Sequence, residues 1–275
     1  MSRGARTVLD LARTYRWALP AVLLTLLAAP LGAQDGEGET EAPKPLDVLV
    51  DDDPQQRYLL HGLVEGAEAP KDGWRLLVVM PGGDGSADFA PFVGRIREHA
   101  LGAEWLVAQP VAPKWGECGI VWPTKRLPCP GMEFACEELF EAVVDDVAER
   151  CELDPRYLFT LSWSSSGPLA YTLALDKKSR VTGSLIAMSV FKPDLLPSLK
   201  PAKGRAFYLL HSPEDATCPF RMAEEARDEL EEAGAELRFA TYAGGHGWHG
   251  DVYGDLRAGF DFLESKAAKL KRRKR

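Results

Sequence analysis

Residues 157–171, YLFTLSWSSSGPLAY, make the chain change backbone period within a single turn. Tyr157, Leu158, Phe159, Thr160 and Leu161 form an apolar run of strand-forming residues. Pro168 to Leu175 reads as a buried helix. Between them stand serines, Trp163 and Gly167, so the strand must turn over about four small residues and enter the helix at once. A turn that sharp holds one side chain above the end of a sheet, and here that side chain is a serine.

Such a turn is usually built as Gly-x-Ser-x-Gly, because residues two before and two after the central serine come so close that large side chains collide. Only Ser164 has small residues on both sides, Ser162 and Ser166, with Gly167 following. Ser165 would have Trp163 before it, and Ser166 would have Pro168 after it. Ser164 is therefore the candidate nucleophile, on a motif in which serine replaces both flanking glycines. The competing reading is a polar turn whose hydroxyls cap the following helix.

The rest of the chain alternates strands and helices. Strands are expected over Leu46–Val50, Arg57–Val64, Arg75–Met80, Glu104–Val111, Val181–Val190, Gly204–His211 and Leu237–Tyr242. Helices are expected over Phe89–Ala100, Met132–Cys151, Pro219–Ala233 and Leu256–Leu270. Alternation of this kind predicts an α/β fold with a mostly parallel sheet covered on both faces, in one domain over residues 46–265. Ala112–Gly131 has no periodicity, and a loop of that length predicts a functional role.

Ahead of the domain, four arginines precede an apolar run from Trp17 to Leu31, and Gly32-Ala33 leads into an acidic stretch. Residues 1–33 thus read as a signal peptide for a secreted or periplasmic protein, and residues 34–45 as a flexible acidic leader. Export permits disulfides. Of the five cysteines, Cys118 and Cys129 close a short segment inside the long loop, whereas Cys136 and Cys151 sit too far apart on one helix to meet, so a Cys118–Cys129 bridge is predicted. No Cys-x-x-Cys, His-Cys or His-Glu-x-x-His grouping is present, and neither a metal nor a cofactor is indicated. A net charge of −8 disfavours nucleic acid as a partner. The basic tail, residues 266–275, is the one segment suited to a weak contact with an anionic surface.

A serine hydroxyl needs a base, and the base needs a third group to fix its tautomer. Downstream, Asp215 lies in His211-Ser212-Pro213-Glu214-Asp215-Ala216-Thr217-Cys218-Pro219 after one expected strand, and His246 lies in Gly244-Gly245-His246-Gly247-Trp248 after the last. Glu214 and His249 are the rival acid and base. The order serine, acid, histidine, each after a strand, resembles the α/β-hydrolase superfamily. Pro81-Gly82-Gly83-Asp84-Gly85-Ser86 is similar to the oxyanion loop of its phospholipase/carboxylesterase, feruloyl esterase and polyhydroxybutyrate depolymerase group, with Pro81-Gly82 where His-Gly is common. The resemblance implies a carboxylic ester hydrolase with the triad Ser164, Asp215 and His246 and an oxyanion hole of backbone N–H groups from Gly83 and Ser165. A peptidase or acyltransferase on the same fold, or a non-catalytic binding protein, are the alternatives. Trp115, Trp122 and Trp163 are candidates to line an acyl or aromatic pocket.

Overall fold

Leu76, Val78 and Met80 point to one side of a strand while Leu77 and Val79 point to the other, and all five are buried. A strand apolar on both faces needs a layer on each. In the computed structural model, which describes residues 44–64 and 66–271, helices supply both layers. The signal peptide and most of the acidic leader lie outside the described residues, as do the last four residues of the basic tail.

Among the described residues the eight strands are β1 (Leu46–Leu49), β2 (Arg57–His61), β3 (Trp74–Met80), β4 (Trp105–Pro110), β5 (Leu153–Trp163), β6 (Gly183–Ala187), β7 (Ala206–His211) and β8 (Glu236–Thr241). They form one sheet in the order β1-β2-β4-β3-β5-β6-β7-β8. β1 pairs with β2 and β2 with β4 antiparallel, and every other pairing is parallel. The helices are α1 (Ala90–Ala100), α2 (Cys136–Arg150), α3 (Gly167–Leu175), α4 (Phe220–Glu232) and α5 (Val252–Ala267). α2, α3 and α4 pack on the face of Leu76 and Val78, whereas α1 and α5 pack on the face of Leu77 and Val79.

Two helices begin four residues from the expected start, and the other three within one residue of it. α2 starts at Cys136 rather than Met132, because Glu138 reaches back to accept the Ala135 N–H at 2.8 Å while the Cys136 N–H donates to the Pro123 carbonyl at 2.9 Å. α5 starts at Val252 rather than Leu256, because the Asp251 carboxylate accepts from the Gly254 N–H at 3.0 Å and caps it. β6 is half the expected length and β5 is longer, taking in Pro155.

Residues 112–131 carry no helix, and their single β-bridge joins Thr124 to Leu127. The predicted Cys118–Cys129 disulfide is present, with Cα atoms 5.8 Å apart. Cys136 and Cys218 are buried thiols and Cys151 is half-buried.

His61, at the end of β2, is buried and its pKa is pushed down to about 4, chiefly by loss of hydration with a smaller contribution from the Arg97 cation. The unfolded chain takes up this proton near 6.5 and the folded chain only near 4, so the unfolded state binds more protons in between. His61 is accordingly expected to cost stability as pH falls from about 6.5 to about 4. Tm measured against pH should fall more steeply across that window in the wild type than in His61→Gln. Parallel curves would assign the acid sensitivity to other groups.

Candidate active site

β5 ends at Trp163 and α3 begins at Gly167, leaving one tight turn for Ser164, Ser165 and Ser166. Ser164 has φ +55°, a left-handed conformation that non-glycine residues adopt at a cost of about 1–3 kcal/mol. Hydrogen bonds of about 0.5–1.5 kcal/mol each offset that strain. The Ser189 hydroxyl donates to the Ser164 carbonyl at 2.6 Å. The Ser166 hydroxyl accepts the Trp163 N–H at 3.0 Å and donates to the Met80 carbonyl at 2.6 Å. These bonds explain the departure from the usual motif at Ser166, whereas the buried hydroxyl of the first flanking serine, Ser162, has no hydrogen-bond partner among the described residues to account for it. The second flanking serine is fully buried, and its hydroxyl ties the turn to the end of β3. Gly167 takes the remaining close approach, since a Cβ there would run into Ser189.

The expected residues converge on this turn. Ser164 Oγ lies 3.1 Å from His246 Nε2, and His246 Nδ1 lies 2.8 Å from Asp215 Oδ2. An ionised carboxylate only accepts, so Nδ1 carries the ring proton and Nε2 keeps a lone pair facing the serine hydroxyl. Asp215 follows β7, and its side chain is wholly buried. Its Oδ1 accepts the Thr217 and Cys218 N–H groups at 2.8 and 2.7 Å, which orients Oδ2 toward the imidazole. His246 sits in the turn after β8, where Ser212 Oγ accepts the Gly245 N–H at 3.1 Å.

The rivals fall elsewhere. Glu214 is exposed and accepts the Gly244 N–H at 3.3 Å, holding the histidine turn from outside. His249 is exposed and stacks on Tyr242. His211 is buried, with Nε2 at 2.8 Å from the Cys218 carbonyl and 3.3 Å from Asp215 Oδ2, and burial lowers its pKa, so it stays neutral and braces the acid loop.

Gly83 and Ser165 are also brought together, the Ser165 hydroxyl donating to the Gly83 carbonyl at 3.0 Å. Cys218 lies beside the triad, with its sulfur within 4.8 Å of ligand atoms of Asp215 and His246. Burial, reinforced by the Asp215 charge, pushes that thiol up to about 11, so it stays protonated and weakly nucleophilic. Asp215, Cys218 and His246 have metal-ligand spacing, but both imidazole nitrogens and both carboxylate oxygens are engaged within the triad and its loop. A metal there would have to displace at least one of these contacts.

The tryptophans expected to line a pocket are all buried: Trp115, Trp122 and Trp163. Trp122 donates its indole N–H to the Pro81 carbonyl at 2.9 Å, which makes it a support of the glycine-rich loop rather than a pocket wall. Trp163 instead joins an aromatic group with Phe89, Phe92 and Trp248, ring centroids 5.6–5.9 Å apart. Phe89, Phe92 and Trp248 are half-buried and flank the turn. Phe89 and Phe92 lie at helical spacing in the sequence, which does not separate a core residue from one beside the site, and the available signal for Trp248 is its place two residues after His246.

No family model and no curated protein matches the sequence. Solved structures do match. A carboxylesterase from Mesorhizobium loti aligns with a TM-score of 0.59 at 17% identity, over 78% of this chain and 98% of that one. A Bacillus cereus carboxylesterase aligns with a TM-score of 0.54 at 15% identity, over 76% and 93%. Thermogutta terrifontis esterase 2, phosphorylated by paraoxon, aligns with a TM-score of 0.59 at 15% identity, over 82% and 95%.

The chain has the α/β-hydrolase fold. In that fold ligands bind outside the carboxyl ends of the parallel strands. Ser164 after β5, Asp215 after β7 and His246 after β8 all lie at that end.

Proposed function

We propose that the protein is a serine hydrolase that cleaves carboxylic esters by way of an acyl-enzyme. The observation that carries this reading is Ser164 held at φ +55° with its hydroxyl 3.1 Å from an imidazole whose other nitrogen is fixed on a buried carboxylate. A helix-capping turn needs neither the strain nor the imidazole.

In the proposed reaction His246 Nε2 takes the Ser164 proton as the oxygen attacks the ester carbonyl. Asp215 stabilises the imidazolium that results. Backbone N–H groups of Gly83 and Ser165 bind the oxyanion, where the loss of one such donor costs about 3–4 kcal/mol. The imidazolium then protonates the leaving alcohol, and water, activated by the same ring, releases the acid. Esters fit this site as a class because the named relatives of the fold are carboxylesterases and an esterase. The aromatic group of Phe89, Phe92 and Trp248 beside the turn supports an acyl or alcohol portion with apolar or aromatic surface. The Cys118–Cys129 bridge supports export to an oxidising compartment, where such bonds persist.

The test is a substrate panel: p-nitrophenyl esters of increasing acyl length, a methyl ferulate and a peptide amide. Ester turnover without amide turnover is expected. Amide hydrolysis at a comparable rate would move the protein to the peptidases, and no turnover of any of them would sink the catalytic reading.

A further inference from the structure

The glycine-rich loop after β3 presents a conformational difficulty. Gly83 has φ +62° and Gly85 has φ +66°, and peptide units flanked by glycine rotate with little steric resistance. A rotation at Gly83 would place a carbonyl oxygen where the proposed mechanism needs an N–H, setting partial negative charge against the oxyanion.

Every carbonyl from Met80 to Ser86 is tied to a donor. Met80 accepts from the Ser166 hydroxyl, Pro81 from the Trp122 indole, and Gly82 from the Gly85 N–H. Gly83 accepts from the Ser165 hydroxyl, Asp84 from the Lys114 ammonium at 2.8 Å, Gly85 from the Ala112 N–H at 2.9 Å, and Ser86 from the Gln109 side chain at 3.2 Å. Three of these donors, Ala112, Lys114 and Trp122, come from the disulfide-closed loop or its approach. Lys114 is itself fixed by Gln55, whose side chain accepts the Lys114 N–H and donates to the Lys114 carbonyl, each at 3.1 Å. Trp122 lies between the two half-cystines, and its ring packs so closely on Gly85 that a Cβ there would come within 2.9 Å of it.

From these contacts we infer that Lys114 and Trp122 are positioning residues that hold the oxyanion loop in its N–H-presenting conformation, with the Cys118–Cys129 bridge as their brace. This rests on the proposed ester hydrolysis and adds a role for the long loop in it. The clamp acts on the transition state. A loop free to rotate still admits substrate but stabilises the developing oxyanion less, so kcat falls while KM holds.

The experiment compares wild type with Trp122→Phe, Lys114→Met and Lys114→Arg on a p-nitrophenyl ester. It adds the inhibition constant of phenylboronic acid, whose tetrahedral serine adduct places an oxygen in the hole. Trp122→Phe and Lys114→Met are expected to lose on the order of 10-fold to 10²-fold in kcat, as loose positioning does elsewhere. KM should change little, and boronate affinity should fall in parallel with kcat. Lys114→Arg restores both by returning a cationic donor. Lys114 is exposed, so Lys114→Met keeps the wild-type Tm and remains a valid test should Trp122→Phe fail to fold. An active wild type whose Trp122→Phe and Lys114→Met variants keep its kcat and boronate affinity would overturn this inference alone. A wild type that neither hydrolyses the ester nor binds the boronate would overturn the functional reading and this inference with it.

Discussion

Replacing Ser164 by alanine is expected to lower kcat/KM for any ester substrate by about 10⁴-fold or more, the scale on which removal of a triad nucleophile acts. The loss should appear in kcat, because alanine leaves the pocket and the loops around it in place. Folding should survive. The bonds that hold the turn come from Ser166 and Ser189, and neither uses the Ser164 hydroxyl. Alanine meets the same left-handed backbone as serine, so the strain is unchanged. His249→Ala is the matching control, since that ring is exposed and stacks on Tyr242 outside the triad. A Ser164→Ala protein that hydrolyses esters at even a hundredth of the wild-type rate would place the nucleophile elsewhere.

Asp215→Asn is expected to cost about 10⁴-fold in kcat with little change in KM. The cause lies in the hydrogen-bond inventory. Oδ1 of Asp215 accepts two backbone N–H groups, from Thr217 and Cys218, so the asparagine carbonyl must take that side and its amide must face His246. Facing a donor, Nδ1 gives up its proton and Nε2 carries one instead. The ring then has no lone pair toward Ser164. Glu214→Gln should remain active, because its amide oxygen still accepts the Gly244 N–H and no tautomer changes. Kinetics on the two variants measure the contrast directly. Equal losses would make the acid assignment wrong.

Ser164, Asp215 and His246, which the structure brings into contact, could be picked out in the sequence because each follows a strand, and strands declare themselves through runs such as Arg75–Met80 and Gly204–His211. The choice of Ser164 over its neighbours rested on side-chain size, and the left-handed φ at that residue agrees with it. The disulfide is read from Cys118 and Cys129 closing a short segment inside one loop, with Cys136 and Cys151 too far apart on one helix to meet. The helix starts were missed for one physical reason: Glu138 to Ala135 and Asp251 to Gly254 are side-chain-to-backbone bonds, which apolar periodicity does not encode. The role of Trp122 was out of reach for another. Its partner, the Pro81 carbonyl, lies 41 residues away, and nothing in the spacing of tryptophans separates an indole that holds a loop from one that meets a substrate.

The most direct measurement is to treat the protein and its Ser164→Ala variant with paraoxon, which phosphorylates the Thermogutta terrifontis esterase of the same fold, and to locate the adduct by peptide mass spectrometry. The expected result is one diethylphosphoryl group on Ser164 of the wild type and none on the variant. An adduct on another residue, or equal labelling of both proteins, would contradict the account.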